Sequence, residues 1–343
     1  MAVYNLSYSK LESLLDRSFS PGTENAIIEA IKNAGMITPG SGKVGVEVID
    51  TSGAVTVPSN VQIVLDTGAS DHITVKTDGA TLIAAGDGSN RVVDKGPGGD
   101  TLVGGAGAES LKVTRGDNLL MAGSGQNTLM GGAGHDTLIG GGSSLLEAGA
   151  GDSTLIGGLS SQTGGDGRED HRFGADHSDD HRLGADHSDD RRLGAGDGDS
   201  DRHGHSDRGS VPSDTLVGGH GSDLLKVFHG DNLLIAGSGH DTIFGGDGHD
   251  TIFGGGHDTI NLDYGNEFVQ GGGGSDLVHV GLHGNDVIYG GHATTIRTDQ
   301  TSRSIEHEVT VKGVTTIEFK NQQVLTVSHA TIEFADGHKT IVH

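Results

Sequence analysis

The sequence contains no cysteine and no tryptophan, and it is poor in aromatic residues and cations. The absence of cysteine excludes disulfide bonds and thiolate metal sites. Aromatic residues make up 3% of the 343 residues, so repeated aliphatic positions must supply the buried area that rings usually provide. Lysine and arginine number 22 against 47 acids, and the net charge of -25 argues against nucleic acid and anionic lipid as partners.

Long hydrophobic runs are missing as well. No stretch approaches the roughly 20 apolar residues that a membrane-spanning helix needs. The N-terminus, MAVYNLSYSKLESLLDRSF, lacks the basic start and the apolar run of a signal peptide. Export of this protein would therefore use a route that does not read an N-terminal signal.

What the sequence has in abundance is glycine, with 62 residues, and local patterns that divide the chain into six segments. The first is helical, because YSKLESLLDRSF and GTENAIIEAIKNAG carry apolar residues at helical spacing and Gly35 can end a helix. Short β-branched runs such as VQIVLD then predict the start of a β-solenoid. The predicted segments are a helical segment at 1–43, a solenoid start at 44–94, a first repeat array at 95–158, an insert at 159–212, a second repeat array at 213–291 and a C-terminal β cap at 292–343.

The two arrays repeat a unit of nine residues. Gly131–Ile139 reads GGAGHDTLI, Gly218–Lys226 reads GGHGSDLLK, Gly245–Phe253 reads GGDGHDTIF and Gly271–His279 reads GGGGSDLVH. The pattern is G-G-x-G-x-D-x-U-x, in which U is a large aliphatic residue. The glycine half favours a tight turn and x-U-x a short strand with one inward side chain, so two units predict one turn of a flat roll.

These units resemble the hemolysin-type nonapeptide repeats of the RTX (repeats-in-toxin) family of calcium-binding β-rolls. The resemblance implies an all-β fold, a parallel β-roll or β-solenoid, with Ca²⁺ bound between adjacent loops by aspartates and backbone carbonyls. It also implies a secreted, extracellular or cell-surface protein that leaves by type I secretion, and ATIEFADGHKTIVH is similar to an uncleaved C-terminal signal of that route.

The U positions are aliphatic in both arrays, which predicts one kind of roll throughout. The acid positions differ. Asp223, Asp241, Asp258 and Asp276 predict a calcium-binding row along one edge of the second array, whereas Glu109, Asn127 and Ser144 appear at what we take to be the corresponding edge of the first, calcium-poor array. The other candidate ligands are Asp250, Asp214, Asp286, Asp136 and Asp100, with the loop glycines Gly218, Gly219, Gly221, Gly245, Gly246, Gly248, Gly254, Gly271, Gly272 and Gly274.

The insert repeats a decapeptide, as in DHRFGADHSD and DHRLGADHSD, and has almost no apolar residues. We expect it to be disordered, because it cannot bury a core. Its histidines and aspartates offer ligands for transition metals, but the interleaved arginines oppose a cation, so a solvated insert is the preferred interpretation.

Nothing in the sequence singles out a catalytic centre. There is no HExxH motif and no G-x-S-x-G elbow in a strand–turn–helix context, and the G-x-G-x-x-G matches are by-products of the repeat. We therefore expect a non-enzymatic surface, matrix or scaffold protein that folds on binding calcium and assembles into homo-oligomers, filaments or layers. The alternatives are an accessory or secretion module of an extracellular enzyme or toxin, an enzyme with an unrecognised site, and a surface that binds cell-surface polysaccharide.

Overall fold

The structure is a computed structural model that describes residues 2–37, 42–49, 53–57, 60–68, 70–76, 79–157 and 213–342. The predicted insert at 159–212, with its histidine-rich decapeptides, lies outside the described residues. Within those ranges, no helix is long and apolar enough to cross a membrane.

The chain winds into a parallel β-solenoid of about 10 turns, in which each turn places one strand on each of two faces. Successive strands of a face pair in parallel and in register, as Leu225 with Ile243 and Leu234 with Ile252 illustrate. The first face holds β2 (Val44–Ile49), β4 (Ile63–Asp66), β6 (Leu82–Ala84), β8 (Thr101–Val103), β10 (Leu119–Met121), β12 (Thr137–Ile139), β14 (Thr154–Ile156), β16 (Leu224–Lys226), β18 (Thr242–Phe244), β21 (Thr259–Leu262) and β24 (Leu277–Val280). The second holds β3 (Gly53–Thr56), β5 (His72–Lys76), β7 (Arg91–Asp94), β9 (Ser110–Lys112), β11 (Gln126–Ala133), β13 (Ser143–Ala150), β15 (Thr215–Gly221), β17 (Leu233–Gly239), β20 (Thr251–Phe253), β23 (Phe268–Gln270) and the first half of β25 (Asn285–Thr298).

The core is a stack of the predicted U positions. All of them are at most 1% exposed, and they meet between the two faces in one continuous cluster. The predicted fold class is therefore confirmed, and the reason is burial: each three-residue strand turns one aliphatic side chain inward. The buried U positions are Leu102, Leu111, Leu120, Leu129, Leu138, Leu146, Leu155, Leu216, Leu225, Leu234, Ile243, Ile252, Ile260, Val269, Val278 and Ile288.

The roll continues without a break in register across the insert. β13 pairs with β15, so that Leu146 lies beside Leu216, and β14 pairs with β16, so that Leu155 lies beside Leu225. The two repeat arrays are consequently one stack with one core, and the 213–291 array is built directly on the 95–158 array.

The N-terminal segment covers the outer side of the first face. Helices α1 (Tyr8–Ser18) and α2 (Pro21–Asn33) pack Leu15 and Ile27 with Ile63 and Leu82 in a second buried cluster. The helices occur where the periodicity predicts them, but the segment also contains β1 (Ala2–Leu6), which pairs antiparallel with β2. β1 was not predicted, because a strand of five residues is recognisable only from its pairing with β2.

A roll aspartate holds α2 in place. Asp87 accepts hydrogen bonds from the Ser20 backbone N–H at 2.8 Å and from Thr23 Oγ1 at 2.7 Å, at the start of the helix. It also accepts the Ala106 N–H at 3.0 Å from the next turn of the roll. A carboxylate at a helix N-terminus satisfies unpaired backbone donors and complements the helix dipole, so this contact fixes the helix to the roll.

The C-terminal segment closes the other end of the roll. β25 and β28 (Val324–Phe334) each run along both faces and pair in parallel, with an irregularity between Tyr289 and Thr294. β28 then pairs antiparallel with β27 (Val314–Phe319) and β29 (Lys339–Val342), and β27 pairs with β26 (Ile305–Val311). The two-residue strands β19 (Asp247–Gly248) and β22 (Tyr264–Gly265) form a separate small sheet, and Ser302–Ser304 forms a 3-10 turn.

Candidate metal centre

The acid position of each repeat is buried at the turn between the two faces. Asp223, Asp241, Asp258 and Asp276 are between 1% and 3% exposed. The Oδ1 atom of each of the last three accepts the backbone N–H of the acid position one turn earlier, at 2.7 Å, 3.1 Å and 3.2 Å in that order. The four residues predicted as one calcium-binding row therefore form one continuous column along one edge of the roll, which we call the acid column.

The second carboxylate oxygen, Oδ2, lacks a hydrogen-bond partner at several acid positions. The Oδ2 atoms of Asp136, Asp223, Asp241 and Asp250 are buried and have no hydrogen-bond partner. An ionised oxygen that is buried without a partner is costly, so it is normally paired with a cation or protonated. Asp258 and Asp276 differ in that their Oδ2 atoms accept the Gly256 N–H at 3.3 Å and the Thr294 Oγ1–H at 3.2 Å.

In the loops of Asp223, Asp258 and Asp276 the first glycine leaves room for this oxygen, whereas the loop of Asp241 has Ala236 at that position. A Cβ atom on Gly218 would lie 2.8 Å from Asp223 Oδ2, and one on Gly254 would lie 2.7 Å from Asp258 Oδ2, so a side chain there would displace the carboxylate. The predicted glycines Gly245 and Gly271 occupy the same place beside Asp250 and Asp276.

The later glycines of each loop let successive turns come into backbone contact. A Cβ atom on Gly239 would overlap the carbonyl oxygen of Gly221 one turn earlier, and Gly239 has a φ of +148° that only glycine adopts readily. Loop carbonyl oxygens therefore lie between adjacent turns, next to the acid column. The other predicted loop glycines with positive φ are Gly219, Gly221, Gly246, Gly248, Gly272 and Gly274.

Burial makes these carboxyl groups weak acids. It raises the pKa of Asp241 to about 6, and the neighbouring charges of Asp258 and Asp223 add to the effect. Burial also raises the pKa of Asp250 to about 6, and it raises the pKa of Asp136, Asp223 and Asp276. Ionisation of Asp223, Asp241 and Asp276 in the acid column is thus unfavourable until a positive charge arrives.

Asparagine at the acid position solves the same problem without a cation. Asn127 Nδ2 donates to the carbonyl oxygens of Gly123 at 3.1 Å and Gly141 at 2.8 Å, in two neighbouring loops. Asn118 Nδ2 donates to Gly116 O at 2.8 Å and to Asp136 Oδ1 at 2.8 Å. The amide therefore supplies donors to the loop carbonyls and to an acid-position carboxylate, and such a loop is satisfied by its own side chain.

The edges of the two arrays correspond differently from what the sequence analysis assumed. Ser153 N–H donates to Asp223 Oδ1 at 2.8 Å, and Ser144 N–H donates to Asp214 Oδ1, so Asp223 continues the column of Asp100, Asn118, Asp136 and Ser153. The segment Asp214–Val227, DTLVGGHGSDLLKV, repeats Asp100–Val113, DTLVGGAGAESLKV, so the two arrays are copies in which Glu109 aligns with Asp223. Glu109 nevertheless lies on the opposite edge. Seven repeat units separate Asp100 from Asp214, and each unit is half a turn of the roll. Because seven is odd, equivalent residues of the two copies lie on opposite edges.

The opposite edge carries more carboxylates than its loop sequences suggest. Asp250, Glu267 and Asp286 occupy its acid position in three successive turns, and Glu267 N–H donates to Asp286 Oδ1 at 3.2 Å. Glu267 is 2% exposed, its Oε1 atom has no partner, and its pKa is raised by burial and by Asp286 beside it. The sequence places Glu267 at an acid position of this edge, but Glu267 was left out of the predicted ligands because its loop, LDYGNE, has one glycine. Its spacing of nine residues from both Asp258 and Asp276 is the signal that identifies it as an acid position.

Comparison with known families identifies the repeat. A family model described as the RTX calcium-binding nonapeptide repeat matches four segments, residues 96–112, 113–144, 229–256 and 254–278. The chain contains RTX calcium-binding repeats. No curated protein matches the chain in a separate search. The matched segments include Asp100, Asp136, Asp241, Asp250, Asp258 and Asp276, whereas Asp214, Asp223 and Asp286 lie outside them in turns of the RTX roll with the same geometry.

Proposed function

We propose that this protein binds Ca²⁺ between successive turns of the acid column and that ion binding completes the fold of the RTX roll. The observation that supports this most strongly is the buried, unpartnered Oδ2 atom of Asp223 and of Asp241, beside the loop carbonyls of adjacent turns. Carboxylate and carbonyl oxygens are the ligands that Ca²⁺ prefers, and several of them from two loops suit its flexible coordination. Asp223, Asp241, Asp258 and Asp276 would hold the ions, and Asp136, Asp250 and Asp286 are secondary candidates.

The affinity of such sites decides where the protein would fold. Extracellular calcium modules typically bind at about 10⁻⁴–10⁻³ M, so the sites would be empty in a cytosol and filled outside the cell. At a tenfold excess of ion over Kd, each site contributes about 1.4 kcal/mol. Three gaps between the four turns of the acid column would contribute about 4 kcal/mol, a large share of the roughly 5–15 kcal/mol stability of a domain.

Reciprocal exchange of one residue between the duplicated loops tests the calcium assignment. Asn127 and Asp241 occupy the same position in AGSGQNTL and AGSGHDTI. We expect Asp241→Asn to remove Ca²⁺ from the acid column without unfolding the roll, because the amide satisfies the loop as Asn127 does. In Asn127→Asp, burial is expected to hold the pKa of the new carboxyl group above that of an exposed aspartate, and the stability of its turn should become dependent on calcium. Calorimetric titration with CaCl₂, with circular dichroism as the control for folding, measures both, and an unchanged number of ions in Asp241→Asn would exclude this site.

We further propose that the protein is secreted and acts as a non-enzymatic surface, matrix or scaffold protein that assembles with copies of itself. The C-terminal strand β26 supports self-association, because among the described strands it pairs only with β27 and it exposes Val309 and Val311 at 58% and 60%. One cavity near the C-terminal end is lined mainly by glycine, threonine and aliphatic residues, with His329 as its one titratable side chain, so this cavity offers no acid–base pair for catalysis.

Sedimentation velocity with and without calcium separates this role from that of a monomeric accessory module. A self-assembling protein is expected to sediment as larger species in millimolar CaCl₂ than in chelator, because the ordered roll presents β26 and its other strands in a fixed arrangement. Val309→Lys with Val311→Lys should abolish the larger species without changing the calcium-dependent increase in β structure, since charged side chains protect an exposed edge. A compact monomer under both conditions would favour the accessory module.

A further inference from the structure

The C-terminal hairpin of β26 and β27 carries one imidazole and two carboxylates close together. Glu306 and His307 belong to β26, and Glu318 lies opposite His307 in β27. One ligand atom from each of these three residues lies within 4.8 Å of those of the other two. The group belongs to the cap that follows the repeat arrays, and it includes a nitrogen donor, which the acid column does not.

A β-bulge in β26 explains how two consecutive residues reach the same carboxylate. Ile305 pairs with Phe319 and His307 pairs with Glu318, so Glu306 is an extra residue between two cross-strand pairs. Along a regular strand, consecutive side chains point to opposite faces, and an extra residue interrupts this alternation. The bulge thus lets Glu306 and His307 each bring a ligand atom near Glu318.

The distance between the paired side chains suits an ion placed between them. His307 Nδ1 lies 3.6 Å from Glu318 Oε2, which is too far for a hydrogen bond. A tetrahedral Zn²⁺ with bonds of about 2.1 Å holds two of its ligand atoms about 3.4 Å apart. The pair is therefore spaced as two ligands of one ion are spaced.

The donor set selects the class of metal. Ca²⁺ and Mg²⁺ take oxygen ligands, whereas imidazole nitrogen with carboxylate oxygen is a combination that Zn²⁺ accepts. The side chains of His307 and Glu318 are 69% and 48% exposed, so an ion can enter from solvent without opening the roll. Three protein ligands on an exposed surface leave the fourth position of a tetrahedral Zn²⁺ to water.

We propose that Glu306, His307 and Glu318 bind one Zn²⁺ on the surface of the C-terminal cap. The ion would take ligands from both strands of the hairpin. Among the described strands, β26 pairs only with β27, so this link adds to the backbone pairing that holds β26 in place. Binding of Zn²⁺ therefore fixes an exposed edge strand, and loss of the ion lets that strand fray.

Native mass spectrometry of the full chain with ZnCl₂, in saturating CaCl₂, tests the site. His307→Ala and Glu318→Gln are each expected to bind one Zn²⁺ fewer than the unmodified protein, with affinity at this site reduced by roughly a hundredfold, because even outer partners of metal ligands contribute 10–100-fold. The histidines of the 159–212 insert are present in every variant, so any Zn²⁺ that they bind cancels in the difference.

Glu308→Gln is the matched control. Glu308 is an exposed acid of the same strand, but it pairs with Ile317 and does not belong to the group of three. The substitution makes the same charge change as Glu306→Gln, which should lose the ion, whereas Glu308→Gln should keep it. Circular dichroism checks that each variant retains its β structure.

Hydrogen exchange of β26 provides the second readout. A tenfold excess of Zn²⁺ over Kd should slow exchange in Ile305–Val311 by about tenfold in the unmodified protein and in Glu308→Gln, but not in His307→Ala. Equal Zn²⁺ counts in the unmodified protein, His307→Ala and Glu318→Gln would overturn the proposal and would leave an ordinary exposed pair of histidine and glutamate.

Stoichiometry and the acid column provide two further checks. One Zn²⁺ for every two chains, lost in the same variants, would also overturn the proposal, because the ion would then lie between copies and not on one hairpin. Asp241→Asn changes the acid column and should retain the Zn²⁺ of the cap. Failure of the calcium assignment and failure of the zinc site are therefore distinguishable.

Discussion

Removal of calcium is expected to strip hydrogen-exchange protection from β18 (Thr242–Phe244) by roughly a thousand-fold while changing β11 (Gln126–Ala133) far less. The two strands come from corresponding repeat units: β18 follows Asp241, and β11 contains Asn127 near its start. The loop before β18 leaves the Asp241 Oδ2 atom without a partner, whereas the Asn127 amide satisfies two loop carbonyls by itself. Three ions bound as proposed in the acid column would contribute about 4 kcal/mol at tenfold excess, and exchange protection changes about tenfold for each 1.4 kcal/mol.

Exchange measured by mass spectrometry in EGTA and in 5 mM CaCl₂ checks this expectation, with MgCl₂ as the control for ionic strength. Magnesium should not restore protection, because it demands tighter octahedral geometry and retains its waters. Equal protection of β18 in chelator and in calcium would contradict a calcium-gated second array. An equal loss of exchange protection in β11 would show that the roll opens as one unit and that the asparagine loops do not make the first array independent of calcium.

Acidification is expected to stabilise the calcium-free roll, the reverse of what paired surface carboxylates produce. The folded-state pKa values of Asp241 and Asp250 are about 6, above the value of 3.8 for the unfolded chain. The stability linked to their protonation is therefore fully present below pH 3.8 and is lost as pH rises through 6. A difference of about 2 pKa units corresponds to roughly 3 kcal/mol for each group, so Tm in chelator should fall as pH rises from 5 to 7.5.

The same groups predict the opposite trend in calcium. Ca²⁺ binds the ionised carboxylates and competes with protons, so its affinity should decline as pH falls below about 6. The melting temperatures with and without calcium should therefore converge toward pH 5 and diverge toward pH 7.5. In Asp241→Asn with Asp250→Asn, the calcium-free Tm should vary less with pH. A calcium-free Tm that rises between pH 5 and 7.5 in the unmodified protein would contradict the assignment.

Much of the fold could be predicted from the sequence, because it depends on one repeated physical pattern. An aliphatic residue at U every nine residues, between glycine turns, determines the parallel faces and the core. The helices were readable from their periodicity, and Gly35, with a φ of +63°, lies just beyond α2 as expected. The strand β1 was not readable, because its place is determined by pairing with β2, which is distant in sequence.

The site was predictable in part. The spacing of Asp223, Asp241, Asp258 and Asp276 placed them on one edge, and the hydrogen bonds between successive turns bring them into one column. Glu267 stands at an acid position of the opposite edge but was not predicted as a ligand, because its loop lacks the glycine pattern, and only the stacking of turns shows that it lies beside Asp286. The role of Asn127 could not be read from the sequence either. An asparagine at the acid position indicates only that a charge is missing, whereas the structure shows that its amide donates hydrogen bonds to the loop carbonyls.

The half-turn offset between the two copies has a consequence for how such a roll can diverge. If the duplicated segment had an even number of units, each residue of the copy would lie on the same edge as its counterpart in the original segment. A column that has lost ligands in one segment would then be the column that retains them in the other. With seven units, the residues copied from one edge lie on the other edge and continue its column. Whether the copied segment has an odd or an even number of units therefore decides which residues become neighbours. In this chain the number is odd, so Asp223 continues the column of Asp136 and not the column of Glu109, its counterpart in sequence.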